Sequence, residues 1–226
     1  MKFIECDQGT AEWLQARAGA ITASCFAEAI SVLQKNGTKR KAGEPTAAAE
    51  KYAGDLAIER ISRKPYGEPP KAWVLDRGHA MEVLAREAYE TRHGLLAMES
   101  GIVKTDDDWF GYSTDGMVGD DGLIEIKCPI ASDKIIDMLT TGDVSEYIHQ
   151  MQGGMWITGR QWCDFIMYVP DLEPAGRDLF VKRIHRDDDF INDMVEKLMA
   201  FRGTVTRLEA FFRGVPANTD QLKQAA

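Results

Sequence analysis

The sequence predicts an α/β (α+β) fold in which a central mixed β-sheet is flanked by helices. Apolar residues recur with helical period up to His93, switch to short strand-like runs between 102 and 128, and return to helical spacing at 133–157. Two more strand-like runs and a long amphipathic stretch complete the order. With 226 residues, 44% apolar and 28% charged, the chain can bury one core without disulfides or a structural metal. It reads as a single domain, 1–226, with an N-terminal helical part (1–94), a sheet-and-helix part (95–186) and a C-terminal helix (187–226).

Each element has a local signal. Thr10 is an N-cap followed by Glu12 and Trp13-Leu14, and Gly19 ends that helical piece. Thr22-Ala23-Ser24 offers a second N-cap before Cys25–Ile30. A helix start with hydroxyls and free N–H groups serves as an ordinary cap or as an anion site, and the residues alone leave both open. Segment 34–46 carries Lys35, Lys39, Arg40 and Lys41 among turn formers. It reads as an exposed basic loop, either solvated or set against a nucleic-acid backbone. Segment 47–63 is helical through Tyr52, Leu56 and Ile58–Ile61 and is ended by Pro65, Pro69 and Pro70. Segment 72–93 is helical through Trp73, Leu75, Met81, Val83-Leu84 and Ala88-Tyr89, with His93-Gly94 as its stop.

Ile102-Val103 reads as a strand, Asp106–Asp108 as a turn, and Trp109–Val118 as a second strand region. Gly119-Asp120-Asp121-Gly122 is a tight turn before a third strand, Leu123–Cys128, stopped by Pro129. An Asp-Gly turn between apolar runs signals a hairpin. Helices follow at 133–140 and 145–157, and strands at 163–169 and 179–184. Arg160 reads as exposed. The helix pattern at 187–212 rests on Phe190, Ile191, Met194, Val195, Leu198, Phe201, Leu208 and Phe211, and the polar last dozen residues read as frayed.

Composition excludes several classes. Lysine and arginine number 27 against 36 aspartates and glutamates, a net charge of −9. No run approaches the roughly 18 apolar residues of a membrane span, and Met1–Asp7 lacks a secretion signal, so a cytoplasmic protein with no membrane partner is expected. Cys6, Cys25, Cys128 and Cys163 form no C-x-x-C pair, which leaves no zinc ribbon or iron–sulfur centre and points to reduced, mostly buried thiols. The acidic balance argues against a coat-like nucleic-acid binder. It is compatible with an enzyme that confines its cations to a channel and carries acidic metal ligands.

The chemistry-bearing stretch is Asp115, nine residues, then Glu125-Ile126-Lys127, with Gln150 downstream. On strand 123–128, Glu125 and Lys127 share one face; Ile124, Ile126 and Cys128 share the other. Asp115 precedes the hairpin, so folding brings its carboxylate beside that of Glu125. Adjacent carboxylates repel, and a hard divalent cation, Mg²⁺ or Mn²⁺, resolves that repulsion. A lysine at their side can orient or help deprotonate an attacking water, or neutralise charge developing at phosphorus. These residue types suit metal-assisted phosphodiester hydrolysis. A bare E-x-K is more often a surface pair; here Ser113-Thr114-Asp115-Gly116, the hairpin and the strand context favour a site.

Asp115…Glu125-Ile126-Lys127 resembles the core of the PD-(D/E)XK nuclease superfamily, with Thr114 where that motif has Pro. Trp13, three residues, then Arg17-Ala18-Gly19-Ala20-Ile21-Thr22-Ala23-Ser24 resembles the N-terminal motif of the YqaJ-like, phage lambda exonuclease family. Gly78-His79-Ala80-Met81-Glu82 resembles its G-x-x-x-E helix, and Tyr147–Trp156 its Q-x-Q-x-x-M-W helix. The four blocks come in the family's order. The resemblance implies a restriction-endonuclease-like core and a Mg²⁺-dependent, processive 5′→3′ exonuclease, with Mn²⁺ as an alternative ion. Such an enzyme degrades one strand of linear double-stranded DNA to mononucleotides and leaves a 3′ overhang. It also implies a ring-shaped homotrimer and a single-strand annealing protein as recombination partner, in the cytoplasm of a phage host.

Carried over residue by residue, the resemblance makes Glu82, Asp115, Glu125 and the Ile126 carbonyl ligands of two metal ions. Lys127 would act on the nucleophilic water and Gln150 would position the site. Arg17, Ser24 and Ser113 would bind the terminal 5′-phosphate. Trp13 either stacks near the substrate end or sits in the core. Thr22, Lys35, Lys39, Arg40, Lys41 and Lys71 are candidates for the DNA path, while His79 and His149 receive no role. Two rivals stand beside this reading: a structure-specific or restriction-like endonuclease of the same superfamily, and a non-catalytic DNA-binding recombination protein. The second would have no use for an intact Glu82, Asp115, Glu125 and Lys127.

Overall fold

The computed structural model describes residues 1–38, 40–67 and 72–215, with 72–76 described by backbone alone. Lys39, Pro69, Pro70, Lys71, the side chains of Trp73 and Leu75, and the C-terminal tail from 216 lie outside the described residues.

The strands build two mixed sheets where one was predicted. The four-stranded sheet has the order β1 (Lys2–Ile4), β4 (Ile102–Lys104), β5 (Phe110–Ser113), β2 (Ile21–Thr22). The five-stranded sheet has the order β3 (Ala97–Met98), β6 (Gly116–Val118), β7 (Gly122–Lys127), β8 (Trp162–Tyr168), β9 (Leu179–His185). β2 is parallel to β5 and β7 to β8; the remaining pairings are antiparallel. The division arises at Thr114-Asp115, inside the run predicted as one strand. The Thr114 hydroxyl accepts from the Gly116 amide at 3.1 Å and donates to the Gly116 carbonyl at 2.8 Å, closing a local turn. Before this turn the chain pairs with β4, and after it with β7. Asp115 therefore stands at the seam between the sheets.

The helices are α1 (Ala11–Arg17), α2 (Phe26–Ala29), α3 (Ala47–Ser62), α4 (Ala72–His93), α5 (Ser132–Thr141), α6 (Ile148–Thr158) and α7 (Asp188–Phe212). One face of β7 and β8 (Leu123, Phe165, Met167) shares a core with Met151 and Met155 of α6 and with α7; the other face (Ile124, Ile126, Ile166) packs on Ala85 and Tyr89 of α4. Each such buried aliphatic or aromatic side chain contributes about 1.5–3 kcal/mol. The Gly153-Gly154 pair costs helix propensity, roughly 1 kcal/mol per residue. Its use is close approach: a Cβ at Gly154 would lie 2.6 Å from the Tyr112 ring, and one at Gly153 2.6 Å from Phe26. α6 thus lies directly on β5 and α2.

α4 is fixed at both ends. The Tyr89 hydroxyl donates to buried Asp164 at 2.7 Å, which also accepts two bonds from Arg183. Near the other end, Arg77 donates to the Cys128 carbonyl at 3.0 Å. Arg160, expected to be exposed, instead donates to the carbonyls of Gly119 at 2.8 Å and Gly122 at 2.7 Å, clamping the β6–β7 turn.

Other expectations shift locally. Thr10 caps α1 as predicted, its hydroxyl accepting from the Trp13 amide. Thr22 pairs in β2 and is the N-cap of a 3-10 helix, Ala23–Cys25, that runs into the four-residue α2, without a side-chain capping bond; Ser24 lies in that 3-10 turn. α3 ends at Arg63, in left-handed conformation at φ 56°, before Pro65 is reached. The basic loop folds back on itself, with Leu33 donating to the Glu44 carbonyl at 2.8 Å. All four cysteines are free. Among the described residues no helix is long and apolar enough to cross a membrane.

Candidate active site

β7 presents Glu125 and Lys127 on its α6 side, as alternation requires. The β7–β8 register sets Phe165 beside Glu125 and Met167 beside Lys127. Glu125 is 0% exposed. Its Oε1 accepts from Lys127 Nζ at 2.5 Å, while Oε2 is buried with no hydrogen-bond partner among the described residues. Lys127 Nζ also faces the Tyr147 ring at 5.4 Å. The pairing of Gly116 with Ile124 brings Asp115 level with Glu125. Asp115 Oδ2 accepts from the Ile126 amide at 2.7 Å. Glu82 joins them from α4, across the other face of the sheet.

Burying three carboxylates beside one another moves their protonation. Burial, reinforced by Asp115, pushes Glu82 up to about 7. Burial pushes Glu125 up to about 7 as well, against the pull of Lys127 and with Asp115 adding to the rise. Burial also raises Asp115, partly opposed by Lys127 and the Ile126 amide. Burial by itself would lower Lys127, but Glu125 and Asp115 outweigh it and hold the ammonium above its ordinary value. Lys127 is thus a stable cation and donor in this arrangement.

Among the described residues no three His, Cys, Asp or Glu side chains are gathered tightly enough to form a ready cation cage. The fit to a cation rests on the donors themselves. A buried carboxylate oxygen without a partner is costly until a proton or a cation reaches it. Glu82, Asp115 and Glu125 offer one cavity the oxygen set that a hard divalent ion takes.

A second group lines the same cavity. The Trp13 indole donates to the Ser113 hydroxyl at 2.9 Å, and the Arg17 guanidinium sits over the Trp13 ring at 4.2 Å. Arg17 Nη2 donates to Thr22 Oγ1 at 3.2 Å and reaches Ser24 Oγ at 3.5 Å. Burial lowers Arg17 from its ordinary value, yet a guanidinium stays charged. The nearby Glu59 is engaged elsewhere, accepting from the Gly19 and Tyr66 amides. Arginine and hydroxyls facing one space suit an anion, with Arg17 bonded to Thr22 and Ser24.

Trp13, Arg17, Thr22, Ser24, Glu82, Ser113, Asp115, Glu125, Lys127 and Gln150 all line this one cavity of about 340 Å³. The Ile126 side chain packs in the core on the opposite face, leaving only its backbone at the site. Lys35 and Lys41 are exposed and Arg40 pairs with Glu50; none of the three lines the cavity. Lys39 and Lys71 lie outside the described residues.

Sequence reasoning missed Gln8 and Tyr112, read Gly78 only as the glycine of a helix motif, and gave His79 no role, though all four line the cavity. Gln8 donates to the Thr114 carbonyl at 2.9 Å, a contact across 106 residues that no local pattern signals. His149 packs edge-on against Phe190 at 5.0 Å and is not among the cavity's lining. Gln152 is buried and staples the β9–α7 junction, donating to the His185 carbonyl and accepting from the Asp187 amide.

Residues 12–161 match the YqaJ-like viral recombinase domain. The alkaline exonuclease LHK-Exo from Laribacter hongkongensis is 33% identical, with 90% of this chain and 96% of that chain covered, at a TM-score of 0.75. LHK-Exo in complex with dAMP aligns over the same shares at 34% identity and a TM-score of 0.76. A phage-related exonuclease from Haemophilus somnus 129PT, 17% identical over 87% of this chain and 96% of its own, shares the fold at a TM-score of 0.61. No curated protein gives a match. The match over residues 12–161 takes in the Arg17 group, the three carboxylates, Lys127 and Gln150 together, and the chain belongs to the YqaJ-like viral recombinase family.

Proposed function

We propose that this protein is a metal-dependent exodeoxyribonuclease that removes mononucleotides from linear double-stranded DNA, 5′→3′, and leaves a 3′ overhang. One observation carries the reading. An anion-receptive group (Arg17, Ser24, Ser113) and a carboxylate–lysine group (Glu82, Asp115, Glu125, Lys127) line one and the same cavity of about 340 Å³. That space is of the order a small ligand needs, roughly 300–1,000 Å³. A terminal phosphate held at Arg17 puts the next phosphate of the same strand toward the carboxylates, which makes the cavity a one-nucleotide gauge. The relative LHK-Exo, an alkaline exonuclease crystallised with dAMP, supports a mononucleotide product.

Mg²⁺, or Mn²⁺ in its place, would be held by Glu82, Asp115 and Glu125 with the Ile126 carbonyl, two ions to a site. It would supply an acidified water and charge neutralisation at phosphorus. The chain's own residues do the rest. Arg17 and the hydroxyls of Ser24 and Ser113 fix the strand end, the Trp13 ring backs Arg17, and Gln150 orients the group from α6. Lys127, kept protonated by Glu125, donates to the attacking oxygen or to a phosphate oxygen as charge develops. A PD-(D/E)XK core, a threaded homotrimer, processive action and an annealing partner complete the proposal from the family resemblance.

Linear duplex DNA incubated with the protein and Mg²⁺ should release acid-soluble mononucleotides, and a chelator should stop the release. Cutting of a covalently closed circle would replace this reading by the endonuclease one. Inertness toward every DNA would leave a binding protein.

A further inference from the structure

A second cavity, of about 570 Å³, adjoins the first, and Gln8, His79, Glu82 and Asp115 line both. α4 runs along it with His79, Glu82, Val83 and Arg86, the 0, 3, 4, 7 stripe of one helix face. Arg86 has a side chain only 13% exposed, and among the described residues its carboxylate partner is Glu99, whose side chain is 70% exposed. Glu99 comes from the short link between β3 and β4. An exposed carboxylate contributes little to such a pair and is readily displaced. A phosphate can replace it through two parallel charge-assisted bonds. Of the other carboxylates here, Glu5 and Asp7 are exposed, where salt and water screen them, and Glu82 and Asp115 are proposed metal ligands.

We infer that the second cavity receives the strand on the 3′ side of the scissile phosphate, and that Arg86 leaves Glu99 to bind a phosphate of that strand. The inference rests on the exonuclease reading. If the smaller cavity holds the departing nucleotide between Arg17 and the acids, the rest of the strand continues past the acids, and the larger cavity adjoins them there. Glu99 then occupies the phosphate position while DNA is absent.

The test is equilibrium binding of a 3′-labelled, 5′-phosphorylated duplex by fluorescence anisotropy, in chelator, over a range of salt. Arg86→Gln should weaken binding about tenfold and lower the slope of log affinity against log salt by about 0.9, the signature of one lost phosphate contact. Glu99→Gln should tighten binding by up to about fivefold, and should have no effect in an Arg86→Gln background. An arginine that only balances Glu82 and Asp115 would leave the salt slope unchanged; that result, or a Glu99→Gln protein that binds like the unsubstituted one, overturns the inference. Because Glu99 is exposed, its variant tests the idea even if Arg86→Gln does not fold. Failure of the unsubstituted protein to bind DNA ends would strike the exonuclease reading, whereas normal binding with unaltered slopes would strike this inference alone.

Discussion

Asp115 Oδ2 accepts the Ile126 amide at 2.7 Å, so the acid at the seam of the two sheets is tied to the residue between Glu125 and Lys127. That bond adds to the β6–β7 pairing that holds the three functional groups in register. Asp115→Asn keeps an oxygen that can accept it, and should keep the melting temperature while lowering the rate on the order of 10²–10³-fold. Asp115→Ala also leaves a buried amide without a partner, costing about 1–3 kcal/mol. At this chain length each kcal/mol shifts the melting temperature by about 2–4 °C. Melting curves and rates of both variants check this; equal melting temperatures would count against a structural share for the bond.

The raised carboxylates give a pH dependence with a definite sign. Glu82 and Glu125 sit at about 7 in the fold, above their ordinary value of 4.5. Between those values the folded state holds protons that the unfolded chain has lost. Stability is therefore full below about 4.5 and declines as pH rises through about 7. Metal-free protein should melt lower at pH 8 than at pH 5, and Mg²⁺ should raise the melting temperature more at pH 8, where a cation replaces the protons. Glu125→Gln should flatten the profile. A metal-free profile that rises between pH 5 and pH 8 would contradict the burial of these acids.

Some of this was legible in the sequence, for physical reasons. Alternation in β7 makes Glu125 and Lys127 a pair, and the Asp-Gly turn makes Asp115 their neighbour. Glu82 and Gln150 lie on helices, where period does not separate a solvent-facing polar residue from one facing a site; motif order alone pointed to them. The sheet seam was illegible because it depends on the Thr114 hydroxyl closing on its own chain. β1 and β3, three and two residues long, are too short to carry a pattern. Arg160 looked like a surface residue because the carbonyls it clamps, those of Gly119 and Gly122, lie 41 and 38 residues away in the sequence.

Arg17 gives a prediction about substrate ends. Its charge-assisted contacts should separate 5′-phosphoryl from 5′-hydroxyl ends. Arg17→Ala should cut the ratio of rates on the two ends by about tenfold or more, and should slow the hydroxyl end much less. Parallel time courses on both substrates check it, and an unchanged ratio would place the phosphate pocket elsewhere.

Arg160 should matter to stability and little to chemistry. Arg160→Ala removes donors from the carbonyls of Gly119 and Gly122 at the β6–β7 turn. A loss of about 1–3 kcal/mol is expected, with the melting temperature falling several degrees. Thermal unfolding and the rate at 25 °C, taken together, separate this from a catalytic role: the melt should move and the rate should stay.

The most direct measurement is digestion, in Mg²⁺, of a linear duplex with one 5′-phosphoryl and one 5′-hydroxyl end, beside a covalently closed circle and a Lys127→Ala protein. Mononucleotides should come from the phosphorylated end first, the circle should stay intact, and Lys127→Ala should release nothing on the same timescale. Linearisation of the circle, or equal release by Lys127→Ala, would contradict the claim that one cavity joins a strand-end pocket to a carboxylate–lysine centre.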